Sequence, residues 1–198
     1  MLPMRPVTAI VVPACLALVA SAGCMHRPDE DGARKAFDSL QKALEGSDPL
    51  TLWDLSDDET HRYFDDLSTE IHAGISAIDA NYPEADRPAA RTALLGALLG
   101  TGEKGQALFN ALLDRARLAP PSDPEAGRIA KVEARGDRMV VITGTGDSIE
   151  FRRDDQGNWR TGMLLRVFKA LPMSKTLHEN LATVKANCVL LAAPEASK

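Results

Sequence analysis

The sequence predicts an α+β domain in which a helical N-terminal half is followed by a four-stranded antiparallel meander and then by C-terminal helices that pack on the sheet. Three observations predict this fold class. Apolar residues recur at helical spacing from Ala33 to Ala116. The pattern changes to short alternating segments between residues 129 and 163, and helical spacing returns from Leu164 to Leu191.

The first helix is predicted over residues 33–44, because apolar side chains recur there every three to four positions and Gly46 follows. A new short segment begins at Asp48-Pro49. The apolar residues of this segment, which we assign to the core, are Leu50, Leu52, Trp53 and Leu55.

A capping box predicts the start of the next helix. Ser56 and Glu59 have the spacing at which each side chain satisfies the backbone amide of the other residue. We expect this helix to end near Asn81, two residues before a proline. Two more helical segments are predicted after it, over residues 86–99 and 108–116.

Residues 120–124 contain three prolines and end the helical half. Tight turns separate the segments that follow, and the first of these turns, Gly136-Asp137, is typical of a two-residue hairpin. Four short strands joined in this way imply an antiparallel meander. The predicted strands cover residues 129–135, 139–143, 148–153 and 159–163.

Two arrangements of the helical half and the sheet are compatible with the sequence. The proline-rich linker could separate two lobes, or the whole could fold as one cooperative unit. A helical lobe of this length would bury only a modest core of its own. We therefore favour a single domain over residues 32–191, followed by a tail over residues 192–198.

The N-terminus has the three parts of a secretion signal. Arg5 is the only charged residue before His26, residues 7–20 are uncharged and largely apolar, and small residues follow. The sequence Ser21-Ala22-Gly23-Cys24 resembles the lipobox of bacterial lipoproteins. In that family the cysteine thiol takes a diacylglycerol, and the chain is cleaved immediately before it.

This resemblance implies that residues 1–23 are a signal peptide, that Cys24 carries the lipid, and that residues 24–31 are a tether. Several acyl chains anchor a protein durably, because each buried methylene contributes about 0.8 kcal/mol. Met25 stands where an aspartate would retain such a protein at the inner membrane, so the resemblance implies the outer membrane. A secreted form and an uncleaved N-terminal anchor are the alternatives.

The composition limits the classes of partner. The chain has 198 residues and a formal net charge of −5, and removal of the predicted signal takes away one base and no acid, which leaves −6. This acidity lacks the basic footprint of a nucleic-acid-binding protein. With Cys15 removed and Cys24 lipidated, Cys188 is the remaining cysteine, and its place on an apolar helical stripe predicts that it is buried.

One histidine lies a single helical turn from a carboxylate. His61 and Asp65 could form an acid–base pair or share a metal ion, but an ordinary pair on a surface helix is the favoured interpretation. His72 lies too far along the same helix to join them, about 16 Å at a rise of 1.5 Å per residue. No nucleophile motif is present. The sequence therefore predicts no catalytic residue, metal ligand or cofactor, and an enzyme is the less favoured class.

Two segments resemble the nuclear-transport-factor-2-like superfamily. One is the opening helix, residues 33–44, with residues 48–55 after it; the other is the strand, acidic turn and Trp-bearing strand of residues 149–160. The helical stretch between them is longer than this superfamily expects, and two helices follow the sheet. The resemblance implies an apolar pocket between a curved sheet and helices, whereas core packing is the alternative for its aromatic residues. The implied lining residues are Trp53, Tyr63 and Trp159.

Three classes of function follow from these observations. The favoured class is a non-enzymatic interaction or structural module that contacts an envelope protein or the cell wall from its lipid anchor. The second is a binder of a small apolar ligand in a cone-like pocket. The third is a hydrolase or isomerase centred near His61 and Asp65.

Overall fold

The computed structural model describes residues 30–95, 104–116 and 123–192 of the chain. These residues form eight helices and one four-stranded sheet, with six helices before the sheet and two after it. This confirms the predicted α+β class, with its helical N-terminal half, antiparallel meander and C-terminal helices. The predicted signal segment, the lipidation residue Cys24 and most of the predicted tether lie outside the described residues.

The helices of the N-terminal half end close to the predicted breaking residues. The first helix ends at Gly46 and the third at Asn81, as expected. Each buries one face, because its apolar residues recur every three to four positions. The six helices are α1 (Glu30–Gly46), α2 (Pro49–Leu55), α3 (Asp58–Asn81), α4 (Arg87–Leu95), α5 (Gly105–Ala116) and the single turn α6 (Pro124–Gly127).

The start of α3 differs from the predicted capping box, which was wrong. Asp57 is the N-cap, and its Oδ1 accepts hydrogen bonds from the backbone N of Thr60 at 2.9 Å and from the Thr60 hydroxyl at 2.6 Å. Ser56 is fully buried, and its hydroxyl donates to the Leu52 carbonyl at 2.8 Å. Ser56 therefore does not cap the helix with Glu59.

The buried position of Ser56 has a tertiary cause. Ser56 and Thr161 form an isolated parallel bridge, in which the Thr161 amide donates to the Leu55 carbonyl at 2.8 Å. The Asp57 amide donates to the Thr161 carbonyl at 3.2 Å. These bonds join the start of α3 to the chain that leaves the sheet, and they bring two distant segments side by side.

The four strands pair antiparallel in sequence order, β1-β2-β3-β4. Gly136, with φ of +66°, provides the left-handed residue of the turn between the first two strands. The last strand ends at Arg160, earlier than predicted, because Thr161 leaves the sheet for the bridge with Ser56. The strands are β1 (Ile129–Arg135), β2 (Arg138–Thr143), β3 (Ser148–Arg153) and β4 (Trp159–Arg160).

Two helices follow the sheet, α7 (Met163–Ala170) and α8 (Pro172–Ala192). α7 lies beside β3, where Met163 and Val167 border the same shallow cavity as Ile149. α8 packs along α3 and α4 and buries Cys188, as predicted. The predicted tail beyond Ala192 lies outside the described residues. Among the helices described, none combines the length and the apolar character needed to cross a membrane.

One continuous buried cluster joins both helical parts to the sheet. At its centre the ring centroid of Phe64 lies 5.1 Å from those of Phe109 and Phe168, in edge-to-face contacts. α1 packs on the inner face of the sheet, where Met139 and Phe151 are fully buried. The outer face carries charged residues of all four strands beside Val140 of β2, which is buried although it points away from the core cluster.

Candidate functional site

The outer face of the sheet carries a row of four arginines, one from each strand. Arg138 is paired with Arg135 on β1 and with Arg152 on β3, and Arg152 is paired in turn with Arg160 on β4. Residues that are directly opposite in neighbouring antiparallel strands point to the same face of the sheet. We call Arg135, Arg138, Arg152 and Arg160 the arginine row.

The inner face explains why these side chains point outward. Met139 follows Arg138 on β2, Phe151 precedes Arg152 on β3, and both of these apolar residues are fully buried and paired with each other. Because successive side chains of a strand alternate between faces, burial of Met139 and Phe151 directs the neighbouring arginines away from the core.

The row places like charges opposite each other at three successive pairings. Such pairs destabilise a sheet, at a magnitude of about 0.2–1 kcal/mol per pair. Nearby carboxylates offset part of this repulsion. Arg138 Nη1 donates to Glu150 Oε2 at 2.9 Å, and Arg135 Nη2 donates to Glu133 Oε2 at 2.8 Å. These ion pairs are partly exposed to solvent.

The turn before β4 holds the last arginine of the row. Asp154 accepts hydrogen bonds from the amides of Gln156 and Asn158 and from Arg160 Nε, the last at 2.8 Å. Desolvation acts to raise the pKa of Asp154, but the hydrogen bonds from Asn158 and Arg160 outweigh it and lower the pKa to about 2. Asp154 therefore stays ionised and fixes Arg160 against the sheet.

At the opposite edge of the sheet, Glu133 lies between two cations. Hydrogen bonds from Lys131, and then from Arg135, lower the pKa of the Glu133 carboxyl below its usual range. Arg135 is thus partly neutralised, like Arg138 and Arg160. Arg152 is the exception: within the described ranges its exposed side chain has no hydrogen bond or ion pair.

A cleft opens beside Arg152, between β3 and α7, with a volume of about 250 Å³. The parallel bridge of Ser56 with Thr161 brings the start of α3 to one side of this cleft. Gly162 permits the close approach, because a Cβ there would lie 2.7 Å from Asp57 Oδ2. Five cations and three acids line the cleft with two other residues: Asp57, Glu59, Arg138, Glu150, Arg152, Arg160, Gly162, Leu165, Arg166 and Lys169.

The three acids of the cleft already have partners. Asp57 caps α3, Glu150 is bonded to Arg138, and Glu59 Oε1 lies 3.7 Å from Lys169 Nζ. Arg166, on α7, is exposed and has no side-chain partner among the described residues, like Arg152. The cleft can therefore offer guanidinium donors from two different elements to an anion.

The three aromatic residues predicted to line a pocket lie in different surroundings. Trp53 stacks on His61 with ring centroids 4.2 Å apart. The Tyr63 hydroxyl lies 3.1 Å from His178 Nε2. Trp159 lies beneath the guanidinium carbon of Arg153, 4.8 Å from the ring centroid, and borders a depression beside α1 and α2. Each aromatic also packs against the buried cluster, as in the alternative interpretation.

His61 and Asp65 have separate partners. His61 Nε2 lies 2.9 Å from the Trp53 carbonyl oxygen, and Asp65 Oδ1 accepts a hydrogen bond from the Gly105 amide at 3.1 Å. His72 Nδ1 is 2.8 Å from the Ser68 carbonyl oxygen. In the ranges that the structure describes, no three His, Cys, Asp or Glu side chains are grouped so that they could hold a metal ion.

An apolar groove of about 600 Å³ lies between α4 and α8. Ala90 and Leu94 line it from α4, and Val184 and the exposed Leu190 line it from α8. Asn180 Nδ2 crosses between the helices and donates to the Ala93 carbonyl at 2.7 Å. This groove is separate from the sheet face that carries the arginines.

The arginine row is not apparent from the sequence, because its members are dispersed between residues 135 and 160 and alternate with acids. One local signal was present. Arg135 and Arg138 flank the two-residue turn Gly136-Asp137, and such a turn pairs its flanking residues directly. The pairings of Arg152 depend on the two later turns, whose registers the sequence pattern leaves open.

Comparison of the chain with known protein families, with curated proteins and with solved structures gives no match. The resemblances to bacterial lipoproteins and to the nuclear-transport-factor-2-like superfamily therefore stay predictions from the sequence. Fold and site define the class of the protein in physical terms: an α+β domain with a row of arginines across one exposed sheet face.

Proposed function

We propose that this protein is a lipid-anchored component of the bacterial envelope that acts as a non-enzymatic interaction module, with the arginine row as its docking surface for an acidic partner protein. The observation that carries the docking surface is the strand register, which aligns one arginine from each strand. The lipid anchor rests on the lipobox resemblance of residues 21–24.

An acidic partner suits the arginine row because the ion pairs that the row makes within the protein can be replaced by ion pairs with the partner. Partly exposed ion pairs contribute about 0–1 kcal/mol, so a partner's carboxylates can replace Glu133 or Glu150 at little cost. Guanidinium groups bind carboxylates with two parallel hydrogen bonds, which gives geometric specificity as well as attraction. Arginine is also enriched in protein interfaces.

The anchor limits where the partner can be. The chain from Cys24 to Glu30 advances six residues, which can span at most about 20 Å when fully extended. A lipid on Cys24 would therefore hold the start of α1 close to the membrane surface. This proximity favours a partner that is itself an envelope protein.

A crosslinking pull-down from envelope extract tests the docking surface. The full lipidated chain is compared with the double variant Arg135→Glu, Arg152→Glu, and with Arg115→Glu, which reverses an exposed charge on α5. We expect an acidic protein to be captured by the wild type and by Arg115→Glu, to be lost from the double variant, and to be released as salt rises. Equal capture by the double variant would contradict the proposal.

The anchor has its own test, which is independent of the partner. Treatment of cells with globomycin, which inhibits the lipoprotein signal peptidase, should cause a precursor that retains residues 1–23 to accumulate. Intact mass spectrometry should find acyl chains on the mature wild type and none on Cys24→Ala. If neither a precursor nor an acylated mass is found, the protein is not a lipoprotein.

Binding of a small apolar ligand is the second candidate function, and the groove between α4 and α8 is the observation that favours it. Native mass spectrometry of the full chain should then find a lipid-sized adduct. Ala90→Phe, which places a large side chain in the groove, should remove the adduct, whereas Arg135→Glu should retain it. Identical spectra for the wild type and Ala90→Phe would exclude the groove as the site.

A further inference from the structure

We infer that the cleft between β3 and α7 is a binding site for a phosphoryl group, carried by a lipid headgroup or present as free phosphate or its esters. The inference goes beyond the proposed protein partner and does not require the lipid anchor. It rests on the balance of charges in the cleft, on the two arginines that lack partners, and on the way the walls are held.

The charge of the lining favours an anion. Five cations and three acids line the cleft, so its formal charge is +2 in a protein whose net charge is −5. A phosphate group carries between one and two negative charges near neutral pH. Asp154, which lies outside the lining, also compensates Arg160, so the excess charge of the cleft lies between +1 and +2 and matches the charge of one phosphate group.

The donors of the cleft match a tetrahedral anion. Arg152 projects from β3 and Arg166 from α7, and neither side chain has a partner among the described residues. Each guanidinium presents a fork of N–H donors whose spacing fits two phosphate oxygens. Because the two arginines stand on different elements, they can approach different edges of a phosphate; a planar carboxylate has only two oxygens to share.

The other cations are already positioned. Arg138 is held by Glu150 at 2.9 Å and Arg160 by Asp154 at 2.8 Å, so these side chains need little further ordering when an anion enters. Lys169 also lines the cleft, with its Nζ 5.3 Å from the Tyr63 ring centroid and 3.7 Å from Glu59 Oε1. A preorganised cluster of this kind binds an anion with less loss of side-chain entropy than free surface lysines do.

The walls of the cleft are also fixed. The bridge between Ser56 and Thr161 joins α3 to the start of α7, and Leu165 contributes a buried apolar side chain to the lining. An apolar wall excludes water from one side of the anion and strengthens its attraction to the guanidinium groups.

The cleft and the arginine row can be tested separately because they differ in composition. Arg166 and Lys169 stand on α7 and line the cleft but do not belong to the row, whereas Arg135 belongs to the row and does not line the cleft. Arg166→Gln therefore tests the phosphoryl site alone, and Arg135→Gln tests the docking surface alone.

The test is calorimetric titration of the full chain in nonionic detergent. The free probe is inorganic phosphate, with acetate as the carboxylate control. The lipid probe is phosphatidic acid mixed into the micelles, with a fatty acid as the carboxylate control. We expect Arg166→Gln and Arg152→Gln each to weaken the binding of whichever phosphoryl probe the wild type binds. The affinity should fall by about 10-fold or more, as for the loss of one charge-assisted hydrogen bond. Arg135→Gln and Arg115→Gln should bind like the wild type.

Each outcome decides the inference. Binding of inorganic phosphate supports a free phosphate or ester, and binding of phosphatidic acid alone supports a headgroup, provided that Arg166→Gln weakens it. If neither probe binds, if the carboxylate controls bind equally well, or if Arg166→Gln leaves the affinity unchanged, the inference is overturned.

The folding of the variant is checked by thermal unfolding. If Arg166→Gln unfolds at the same temperature as the wild type, any loss of affinity comes from the cleft and not from unfolding. If Arg166→Gln unfolds early, Arg166→Lys, which keeps the charge but lacks the fork, replaces it and should also bind more weakly.

Discussion

Arg152 lies between two other arginines of the row and has no carboxylate partner within the described residues. Replacing Arg152 with threonine removes two like-charged pairings and introduces a residue that favours strands. We expect Arg152→Thr to raise the free energy of unfolding by about 0.2–1 kcal/mol at low ionic strength. Urea unfolding at low and high salt measures the effect, which should shrink as salt screens the repulsion.

Arg152→Lys is the control for this substitution, because it keeps the positive charge and should leave the stability close to that of the wild type. If Arg152→Thr lowers the free energy of unfolding, or raises it equally at both salt concentrations, repulsion within the row does not govern the stability at this position. A confirmed gain would mean that the wild type retains an arginine there at a cost in stability, as expected of a binding residue.

Asp154 makes the stability depend on pH in the acid range. Its pKa is lowered to about 2 in the folded protein, below the value of about 3.9 for an unfolded aspartate. The folded state therefore gains stability from ionised Asp154 above about pH 4, and loses it as pH falls towards 2. Denaturant unfolding between pH 5 and pH 2 should show a shallower decline for Asp154→Asn than for the wild type; parallel declines would contradict this assignment.

At the scale of the elements, Gly105 sets the distance between α3 and α5. A Cβ at this position would lie 2.7 Å from the Phe64 carbonyl carbon and would also clash with Asp65. Gly105→Ala would force the helices apart and weaken the bond from the Gly105 amide to Asp65, although alanine itself favours helix. We expect a loss of about 1–3 kcal/mol in the free energy of unfolding.

Thermal or urea unfolding measures this loss, and Gly46→Ala is the matched control, because a Cβ at Gly46 would meet no atom within 4 Å. Gly46→Ala should change the stability by less than Gly105→Ala. If the two substitutions have equal effects, the contact between α3 and α5 at Gly105 is not close.

Local sequence pattern predicted the elements whose limits depend on their own residues. α1 ends at Gly46, and Ser47 follows it with a φ of +50°. The first hairpin turns at Gly136-Asp137. Ser56 and Thr161 are far apart in sequence, and their pairing is a tertiary contact. That one contact moved the cap of α3 and shortened β4, so both misplaced boundaries have the same physical cause.

The candidate site was harder to predict than the fold, because the four arginines become neighbours only through the register in which the strands pair. Arg135 and Arg138 follow from the first hairpin turn, but the pairing of Arg152 with Arg160 depends on the turn that Asp154 organises through its hydrogen bonds. The aromatic residues predicted to line a pocket are large and few, so they stand out in the sequence. The arginines are interspersed with acids, a pattern that is typical of an ordinary solvated surface.

For the whole molecule, net charge and local charge differ. The chain is acidic overall, at −5, yet the strands β1 to β4 carry five outward cations against two outward acids. The expectation that nucleic acid is not a partner came from the net charge and stays a prediction. Long-range attraction would be weak for such a protein, so the row would act at short range.

The single buried cluster bears on how the whole molecule unfolds. Residues from α1, α3, the sheet and α8 all belong to it. We expect one calorimetric transition, with equal calorimetric and van't Hoff enthalpies, as for a cooperative domain. Two separated transitions would mean that the helical half and the sheet unfold independently.

The central claim is that the arginine row is the surface that binds acidic protein. The most direct measurement is amide chemical-shift mapping of the full chain with a ten-residue glutamate peptide as the acidic probe. We predict that the largest shifts fall at Arg135, Arg138, Arg152 and Arg160, that they disappear at high salt, and that Arg135→Glu with Arg152→Glu abolishes them. Shifts centred on another face, or shifts that persist in the double variant, would contradict the claim.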